Sequence, residues 1–216
     1  MAEKKAITTE NQVTERKEHG VGKDPKKNCS NGLSNPTKFG MAGIAIALFM
    51  LAFAFCEIIT FNSAVLATVL TFGFIAPFIA GTLEYVKGNS YRATSFVLYA
   101  LFFFTFFLFM SGRINTIGSG TALDPDTIGI FFMAWYVIIM MMLLGTVMKR
   151  MGMKMIMLLL ILAFFSLFTL FGGIAFFTGE RIIYIVAGAM AFTTVALILT
   201  DFIKHICCRC KKEAKN

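Results

Sequence analysis

Histidine and cysteine are scarce in this chain of 216 residues, and the few that occur lack the spacing of metal ligands. The two histidines, His19 and His205, lie in or near the polar ends of the chain. No His–Glu pair has zinc spacing, and neither a Gly-x-Ser-x-Gly sequence nor a P-loop is present. The five cysteines do not form the pattern of a disulfide framework. These absences predict that the protein is not an enzyme and that it holds no cofactor or metal.

Charged residues are also few, at 15% of the chain, whereas 57% of the residues are hydrophobic and the mean hydropathy is +0.76. A soluble domain of this size cannot bury so much apolar surface. The apolar residues form six segments, centred near Ile46, Phe72, Phe102, Met140, Leu162 and Val195. Six helices of about 20 residues use roughly 120 residues and leave no room for a soluble catalytic domain. The predicted fold class is therefore all-α, a polytopic membrane protein with six transmembrane helices.

Basic residues are nearly absent from alternate connections between these segments. Of the 20 Lys and Arg residues, only Arg113 and Arg181 fall in the first, third or fifth connection. The positive-inside rule then predicts that both termini are cytoplasmic. The net charge of +8 flanks the spans, which predicts contact with anionic lipid head groups and not with nucleic acid.

This pattern divides the chain into a polar cytoplasmic tail (1–38), a six-helix transmembrane domain (39–205) and a basic cytoplasmic tail (206–216). The first tail is rich in Lys, Glu, Asn, Thr and Gly, which predicts disorder. It is too polar to contain a signal peptide, so the first span is expected to act as an uncleaved insertion signal. The last tail carries Cys207, Cys208 and Cys210 beside basic residues, a pattern that favours free thiols or palmitoylation over metal ligation.

The start of the first span is the best anion-binding candidate in the sequence. Asn35 is a strong N-cap and Pro36 fits the first helical position. Free N–H groups of the first turn and the charge of Lys38 lie beside them; the alternative is an ordinary capped helix that binds nothing. Farther along, Gly40 predicts close helix contacts and Pro77 predicts a kink in the second span.

Three acidic residues lie near the ends of the predicted spans. For Glu57 and Asp201, the favoured interpretation is a solvated position at the membrane interface, although an ionisable group at membrane depth is otherwise a functional hypothesis. Glu84 has polar neighbours in the sequence, so we expect it in a structural network, paired with Lys87 or with amide groups at a helix end.

Several motifs resemble those of the acetate uptake transporter family, also called succinate–acetate permeases. The sequence Asn35-Pro36-Thr37-Lys38-Phe39-Gly40-Met41 resembles the family signature Asn-Pro-Ala-Pro-Leu-Gly-Leu, with Lys38 in place of the second proline. The family's second block is matched more closely, by Ala80-Gly81-Thr82-Leu83-Glu84-Tyr85-Val86-Lys87-Gly88-Asn89-Ser90. Trp135, Gly145-Thr146 and Ala187-Gly188-Ala189 follow in the family's order, so the resemblance covers about Asn35 to Asp201.

The resemblance implies six spans, cytoplasmic termini and a homo-hexamer in which each protomer has its own pore. It implies transport of acetate, other small monocarboxylates or succinate, either channel-like or coupled to protons. The pore mouth, where substrate binds, is implied at Asn35, Pro36, Gly40, Glu84, Tyr85 and Asn89. The pore constriction is implied at Ile44, Tyr99 and Leu160.

The predicted function is therefore membrane transport of a small carboxylate through a pore within each protomer. The apolar residues in the middle of the first span, including Ala52 and Phe55, leave two alternatives open. The first is passage of a neutral molecule, such as ammonia or the protonated acid. The second is a scaffold or sensor that keeps the fold without transport. We expect the protein in the plasma membrane, with an organelle membrane as the alternative.

Overall fold

The computed structural model describes residues 36–112, 124–148 and 156–213, with side chains described as far as residue 204. Six helices account for nearly all of this part of the chain, which contains no strand. They are α1 (Pro36–Phe55), α2 (Ser63–Val86), α3 (Ser90–Met110), α4 (Pro125–Met148), α5 (Ile156–Thr178) and α6 (Arg181–Glu213).

Each of the six helices contains a segment long and apolar enough to cross a membrane. These segments are 20 to 24 residues long, and that of α6 is Arg181–Lys204. At 1.5 Å per residue, they span about 30–36 Å, which matches a hydrocarbon layer about 30 Å thick. The prediction of an all-α, polytopic integral membrane protein is confirmed. The cytoplasmic location of the two termini stays a prediction from charge, and the predicted disorder of the first tail lies outside the described residues.

Local sequence explains where several helices begin and end. Pro36 is the first residue of α1, where the missing N–H of proline has no helical partner to lose. The Asn62 side chain accepts hydrogen bonds of 3.1 Å from the backbone N–H groups of Ala64 and Val65, which caps α2. Between α2 and α3, Gly88 has φ of 76°, a left-handed conformation that glycine adopts without strain. This allows the chain to reverse direction within a few residues.

The second helix changes its hydrogen-bonding register just before Pro77. Residues Val69–Ile75 form a π-helical segment, and the N–H of Ala76 bonds to the carbonyl of Thr71, five residues earlier. Proline removes one backbone donor and crowds the preceding turn. Wider turns of this kind are uncommon and interrupt the regular helix. A π-helical segment therefore precedes Pro77, and the kink expected at this proline stays a prediction.

The helices pack in chain order, and α6 returns to contact α1. Thus α1 lies between α2 and α6, whereas α3 packs on α2 and α5 packs on α4 and α6. The boundary between α3 and α4 is the loosest in this ring. A shallow groove of ≈ 510 Å³ runs along this boundary, lined by Ser90, Tyr91, Thr94, Leu98, Ile138, Met141, Met142 and Gly145.

Glycines allow α1 to approach both of its neighbours closely. A Cβ atom on Gly43 would lie 2.5 Å from the carbonyl oxygen of Phe72 in α2, and one on Gly40 would lie 2.7 Å from Cβ of Ala80. On the other side, a Cβ atom on Gly188 of α6 would lie 2.4 Å from Sγ of Cys56. Small residues provide this kind of contact between helices in lipid, where no hydrophobic effect drives association.

The ring of helices has two ends. They are named here after Lys38, in the first turn of α1, and Glu57, in the turn that follows α1. The Lys38 end contains Pro36, Val86, Ser90, Met148, Ile156 and Lys204; the Glu57 end contains Phe55, Ser63, Met110, Pro125, Thr178 and Arg181. The α6 helix continues beyond the Lys38 end to Glu213.

Candidate functional site

One face of α1 points into the interior of the ring. Ile44, Leu48, Leu51 and Phe55 are spaced by three or four residues, which places them on one side of a helix, and each is at most 3% exposed. The ring of Phe55 contacts those of Phe132 in α4 and Phe168 in α5, with centroids 6.0 and 5.3 Å apart. Because α1 does not neighbour α4 or α5 in the ring, this face must look inward. Ile44 therefore lies on the interior face of α1.

Tyr99 of α3 contacts α5 across the interior. Its ring meets that of Phe165 edge-on, with centroids 5.2 Å apart. Ile44 and Tyr99 lie eight and nine residues from the starts of their helices, which is about 12–14 Å from the Lys38 end. Two of the three predicted constriction residues thus lie at a similar depth on helices of the same ring.

Leu160 is not on the face of α5 that meets Tyr99. It precedes Phe165 by five residues, which is about 140° around a helix with 3.6 residues per turn. Leu160 is half-buried, whereas Ile161 and Leu162, one turn before Phe165, are 5% and 2% exposed. The α5 side chains on the Phe165 face are therefore Ile161 and Leu162, which sequence reasoning missed because the pattern of small and apolar residues in α5 is not clearly periodic.

Glu84 anchors a polar network at the Lys38 end. Its carboxylate is almost fully buried and accepts hydrogen bonds from the Thr37 hydroxyl at 2.6 Å and the Asn89 side-chain amide at 2.8 Å. The backbone N–H of Asn89 also donates to the Glu84 carbonyl, at 3.0 Å. The expected network is present, but its donors are Thr37 and Asn89 and not Lys87. Thr37 was missed, although it precedes Ile44 by seven residues and so shares its face.

The other predicted mouth residues occupy different positions. Pro36 is buried at the start of α1, and Gly40 packs on Ala80 of α2. Tyr85 is 73% exposed, and within the described part of the chain it is not one of the donors to the Glu84 carboxylate. Asn35 lies outside the described residues. The structure thus brings Glu84 and Asn89 together.

Ion pairs join α6 to α1 at one end of the bundle and to the turn after α1 at the other. At the Lys38 end, the Lys38 ammonium pairs with Asp201 and lies 5.8 Å from the centroid of the Phe202 ring. At the Glu57 end, Nε of Arg181 lies 2.7 Å from Oε2 of Glu57. Sequence reasoning favoured solvated positions for both acidic residues and did not identify their partners, because the pairing depends on the packing of the first helix on the last.

Phenylalanine rings fill the interior toward the Glu57 end. We use "aromatic cluster" for Phe55, Phe102, Phe106, Phe132, Phe165 and Phe168, which are each at most 2% exposed. Phe102 contacts Phe165 at 5.7 Å and Phe106 contacts Phe132 at 5.8 Å, both edge-on. The cluster joins α1, α3, α4 and α5. In this conformation it closes the part of the interior that lies beyond Tyr99 from the Lys38 end.

The chemistry that this interior offers is mainly apolar. The buried hydroxyls of Thr169 and Thr194 donate to carbonyl groups of their own helices, at 2.8 Å each, so they are not free to bind a ligand. The Tyr99 hydroxyl has no hydrogen-bond partner within the described part of the chain. Among the described residues, no three His, Cys, Asp or Glu side chains form a group that could hold a metal ion.

Comparison with known proteins places this arrangement in context. The sequence model of the GPR1/FUN34/yaaH family matches residues 21–206. An uncharacterised protein of Methanothermobacter thermautotrophicus is 29% identical over 164 residues, which cover 74% of this chain and 78% of that protein. The succinate-acetate/proton symporter SatP of Escherichia coli K12 is 28% identical over 114 residues, 53% of this chain and 60% of the symporter.

A solved structure, that of the bacterial acetate channel SatP, has a similar fold. The TM-score is 0.69 at 24% sequence identity, and the match covers 78% of this chain and 90% of the channel chain. At this identity, the likeness establishes the arrangement of the helices. It confirms the six-helix membrane fold.

Proposed function

Because this chain belongs to the GPR1/FUN34/yaaH family, we propose that it carries acetate or another small carboxylate across a membrane through the interior of each protomer. The resemblance noted in the sequence is thereby confirmed at the level of the family. Two proteins similar to this chain support the proposal: one is a succinate-acetate/proton symporter and the other an acetate channel. It is a transport function and not an enzymatic one.

The observation that carries the proposal is the interior face formed by Ile44 of α1 and Tyr99 of α3. Both lie about 12–14 Å from the Lys38 end, and Ile44 is 3% exposed. A carboxylate loses several kcal/mol when it leaves water without new donors. The unpartnered Tyr99 hydroxyl offers one such donor beside apolar side chains that can contact the methyl group of acetate. A short constriction of this kind suits a small amphipathic acid.

The constriction that we propose contains Ile44 and Tyr99, together with the α5 face that carries Leu162 and Phe165. Leu160 was the third residue implied by the resemblance. Its position about 140° from Phe165 makes Leu162, which is 2% exposed, the better candidate for contact with the substrate.

At the mouth, the free N–H groups of the first turn of α1 and Asn35 are proposed to receive the carboxylate. Glu84 has the wrong charge for this role, and both of its oxygens already accept hydrogen bonds. We assign it the role of a positioning residue, which holds the first turn of α1 and Asn89 in place. Pro36 and Gly40 fix the start of α1 and its distance from α2.

The aromatic cluster acts as a second closure in this proposal. Its rings meet edge-on across four helices, so passage beyond Tyr99 requires some of them to rotate. In this proposal the packed arrangement is the closed state, and an arrangement with the rings parted is the open state. Coupling to a proton fits the same path, since a protonated acid crosses an apolar region more readily than its anion.

The charge pattern and the family support proposals for the topology, the membrane and the oligomeric state of the protein. We propose that both termini are cytoplasmic, that the protein lies in the plasma membrane, and that protomers assemble as a homo-hexamer with one path each. Basic residues near the Lys38 end would contact anionic lipids and would raise the local concentration of carboxylate.

Proteoliposomes provide the test. Purified protein is expected to take up labelled acetate faster than protein-free liposomes, with saturation and with competition by unlabelled acetate or succinate. Protein that is folded by circular dichroism but moves none of the short-chain carboxylates would refute the proposal.

A second candidate function is passage of a neutral molecule, which the apolar face Ile44, Leu48 and Leu51 favours. Planar-bilayer recordings under an acetate gradient separate the two. Passage of the anion produces a current whose reversal potential follows the acetate gradient. Passage of the protonated acid or of ammonia produces no such current, but it changes the internal pH of liposomes.

A further inference from the structure

Lys38 is held by a side chain that resembles the proposed substrate. Its ammonium pairs with the Asp201 carboxylate and lies 5.8 Å from the Phe202 ring, and the two charged side chains are 18% and 31% exposed. Beyond Cα, the side chain of Asp201 is a methylene group that carries a carboxylate, which is the structure of acetate. Lys38 thus already binds a tethered equivalent of acetate, beside an aromatic ring.

The pair is isolated from the other charges described at this end. Among the residues whose side chains are described, the Asp201 carboxylate makes no other hydrogen bond or ion pair, and Lys38 contacts no second carboxylate. Glu84, another acidic residue at this end, already accepts hydrogen bonds from Thr37 and Asn89. Release of Asp201 would therefore leave Lys38 free to bind another carboxylate.

Lys38 also lies next to the interior face. Thr37, the preceding residue, shares the face of Ile44, and Lys38 follows it by about 100° toward α6. A carboxylate on Lys38 is therefore beside the mouth of the proposed path. We propose that Lys38 is a carboxylate-binding residue at this mouth and that Asp201 competes with the substrate for it. This inference rests on the proposed function and adds a binding residue to it.

A purely structural ion pair makes a different prediction. If Lys38 and Asp201 only hold α1 against α6, replacement of either residue weakens the contact between the two helices. Both replacements then change carboxylate binding in the same direction. If Asp201 competes with the substrate, its removal strengthens carboxylate binding and removal of Lys38 weakens it. The Glu57–Arg181 pair joins α6 to the turn that follows α1, at the other end of the bundle, so it serves as a matched control.

Binding is tested without transport, on purified protein in detergent. Asp201→Gly leaves a space beside Lys38 with the shape of acetate, and we expect sodium acetate to raise its unfolding temperature more than sodium chloride does at equal ionic strength. The acetate-specific rise should be absent in the double variant with Lys38→Met. In Glu57→Ala, which leaves the Lys38–Asp201 pair intact, it should be no larger than in the wild type. Glycine weakens a helix, so Asp201→Ala is used as a second variant. It leaves a smaller space, which formate matches, and it is tested with sodium formate. Absence of an anion-specific rise in both Asp201 variants overturns the proposal.

Transport gives the second readout. Asp201→Asn keeps the size of the side chain and removes its charge, and we expect it to lower the acetate concentration that gives half-maximal uptake. If Lys38 is free of Asp201 about a tenth of the time, the decrease is about tenfold. Lys38→Met should raise this concentration, and changes of the same sign in both variants overturn the proposal. If the wild type moves no carboxylate, the proposed function fails, while the detergent experiment still decides whether Lys38 binds one.

Discussion

The hydroxyl of Thr37, in the first turn of α1, donates a 2.6 Å hydrogen bond to the carboxylate of Glu84 near the end of α2. The second carboxylate oxygen accepts a bond of 2.8 Å from Asn89. Residues of α1, α2 and the turn before α3 therefore meet at one buried acceptor. A carboxylate in this position fixes the start of α1, from which the interior face begins.

Replacement of Glu84 should weaken the Lys38 end. Glu84→Ala leaves the Thr37 hydroxyl and the Asn89 amide without an acceptor in a buried site, and we expect it to lower the free energy of unfolding by about 1–3 kcal/mol. Glu84→Gln keeps one acceptor oxygen and should have a smaller effect. Unfolding in detergent measures both. An Ala variant as stable as the wild type would show that the network is not formed.

Added methyl groups should report the close approach of α1 and α2. Gly43→Ala places Cβ 2.5 Å from the Phe72 carbonyl, so the helices must separate, at about 1–3 kcal/mol. Gly145→Ala is the control, since nothing lies within 4 Å of its new Cβ and alanine is the better helix former by about 1 kcal/mol. The first change should lower the unfolding temperature and the second should not; equal effects would be inconsistent with this packing.

The aromatic cluster should contribute strongly to stability. Phe168 is 0% exposed, so Phe168→Ala leaves a cavity and should destabilise the protein by about 3–5 kcal/mol. Phe78→Ala, at a residue that is 45% exposed on the outer surface, is the control and should have a much smaller effect. The two variants are compared by chemical unfolding in the same detergent. Similar losses would argue against a packed interior.

Cys56, which follows the last residue of α1, should react slowly with alkylating reagents. Burial raises the pKa of its thiol, and Sγ lies 3.9 Å from the Ile185 carbonyl. The thiolate is the reactive form, so at pH 8 the folded protein should react more slowly than the unfolded chain, with a rate that still rises above pH 9. The measurement uses a variant in which Cys29, Cys207, Cys208 and Cys210 are replaced by Ser. A rate that is already constant at pH 8 would mean a low pKa.

Raised pKa values of this kind also affect stability. The folded state favours the protonated thiol, so the contribution of Cys56 is complete below the pKa of the unfolded chain. It is lost as the pH rises through the higher pKa of the folded state. The Cys56→Ser variant should therefore show a weaker decrease in stability at alkaline pH.

The number, type and approximate bounds of the helices are predictable from the sequence. Long apolar segments leave few alternatives to helices in lipid, and residues such as Pro36 and Asn62 mark helix starts. The contacts across the bundle are less predictable. The pairing of Lys38 with Asp201 joins residues 163 positions apart and depends on the return of α6 to α1, which no local pattern encodes.

The candidate site was predictable only in part. Polar residues around Glu84 indicated a network, and the structure supplies its partners. The exposed position of Tyr85 and the rotation of Leu160 away from Phe165 required the helix orientations. In spans that are apolar on nearly every side, hydrophobic periodicity does not distinguish a lipid-facing side chain from an interior one, and the aromatic cluster was likewise not anticipated.

Uptake of labelled acetate by proteoliposomes that contain Tyr99 variants is the most direct test of an interior path. Tyr99→Ala removes the ring that meets Phe165 and should change the rate severalfold, whereas Tyr99→Phe isolates the effect of the hydroxyl. Val137→Ala, at a residue that is 56% exposed, should leave the rate unchanged. Uptake by the wild type that Tyr99→Ala alters and Val137→Ala does not would support a path through the interior. Equal uptake by all of these proteins would show that the substrate does not pass Tyr99.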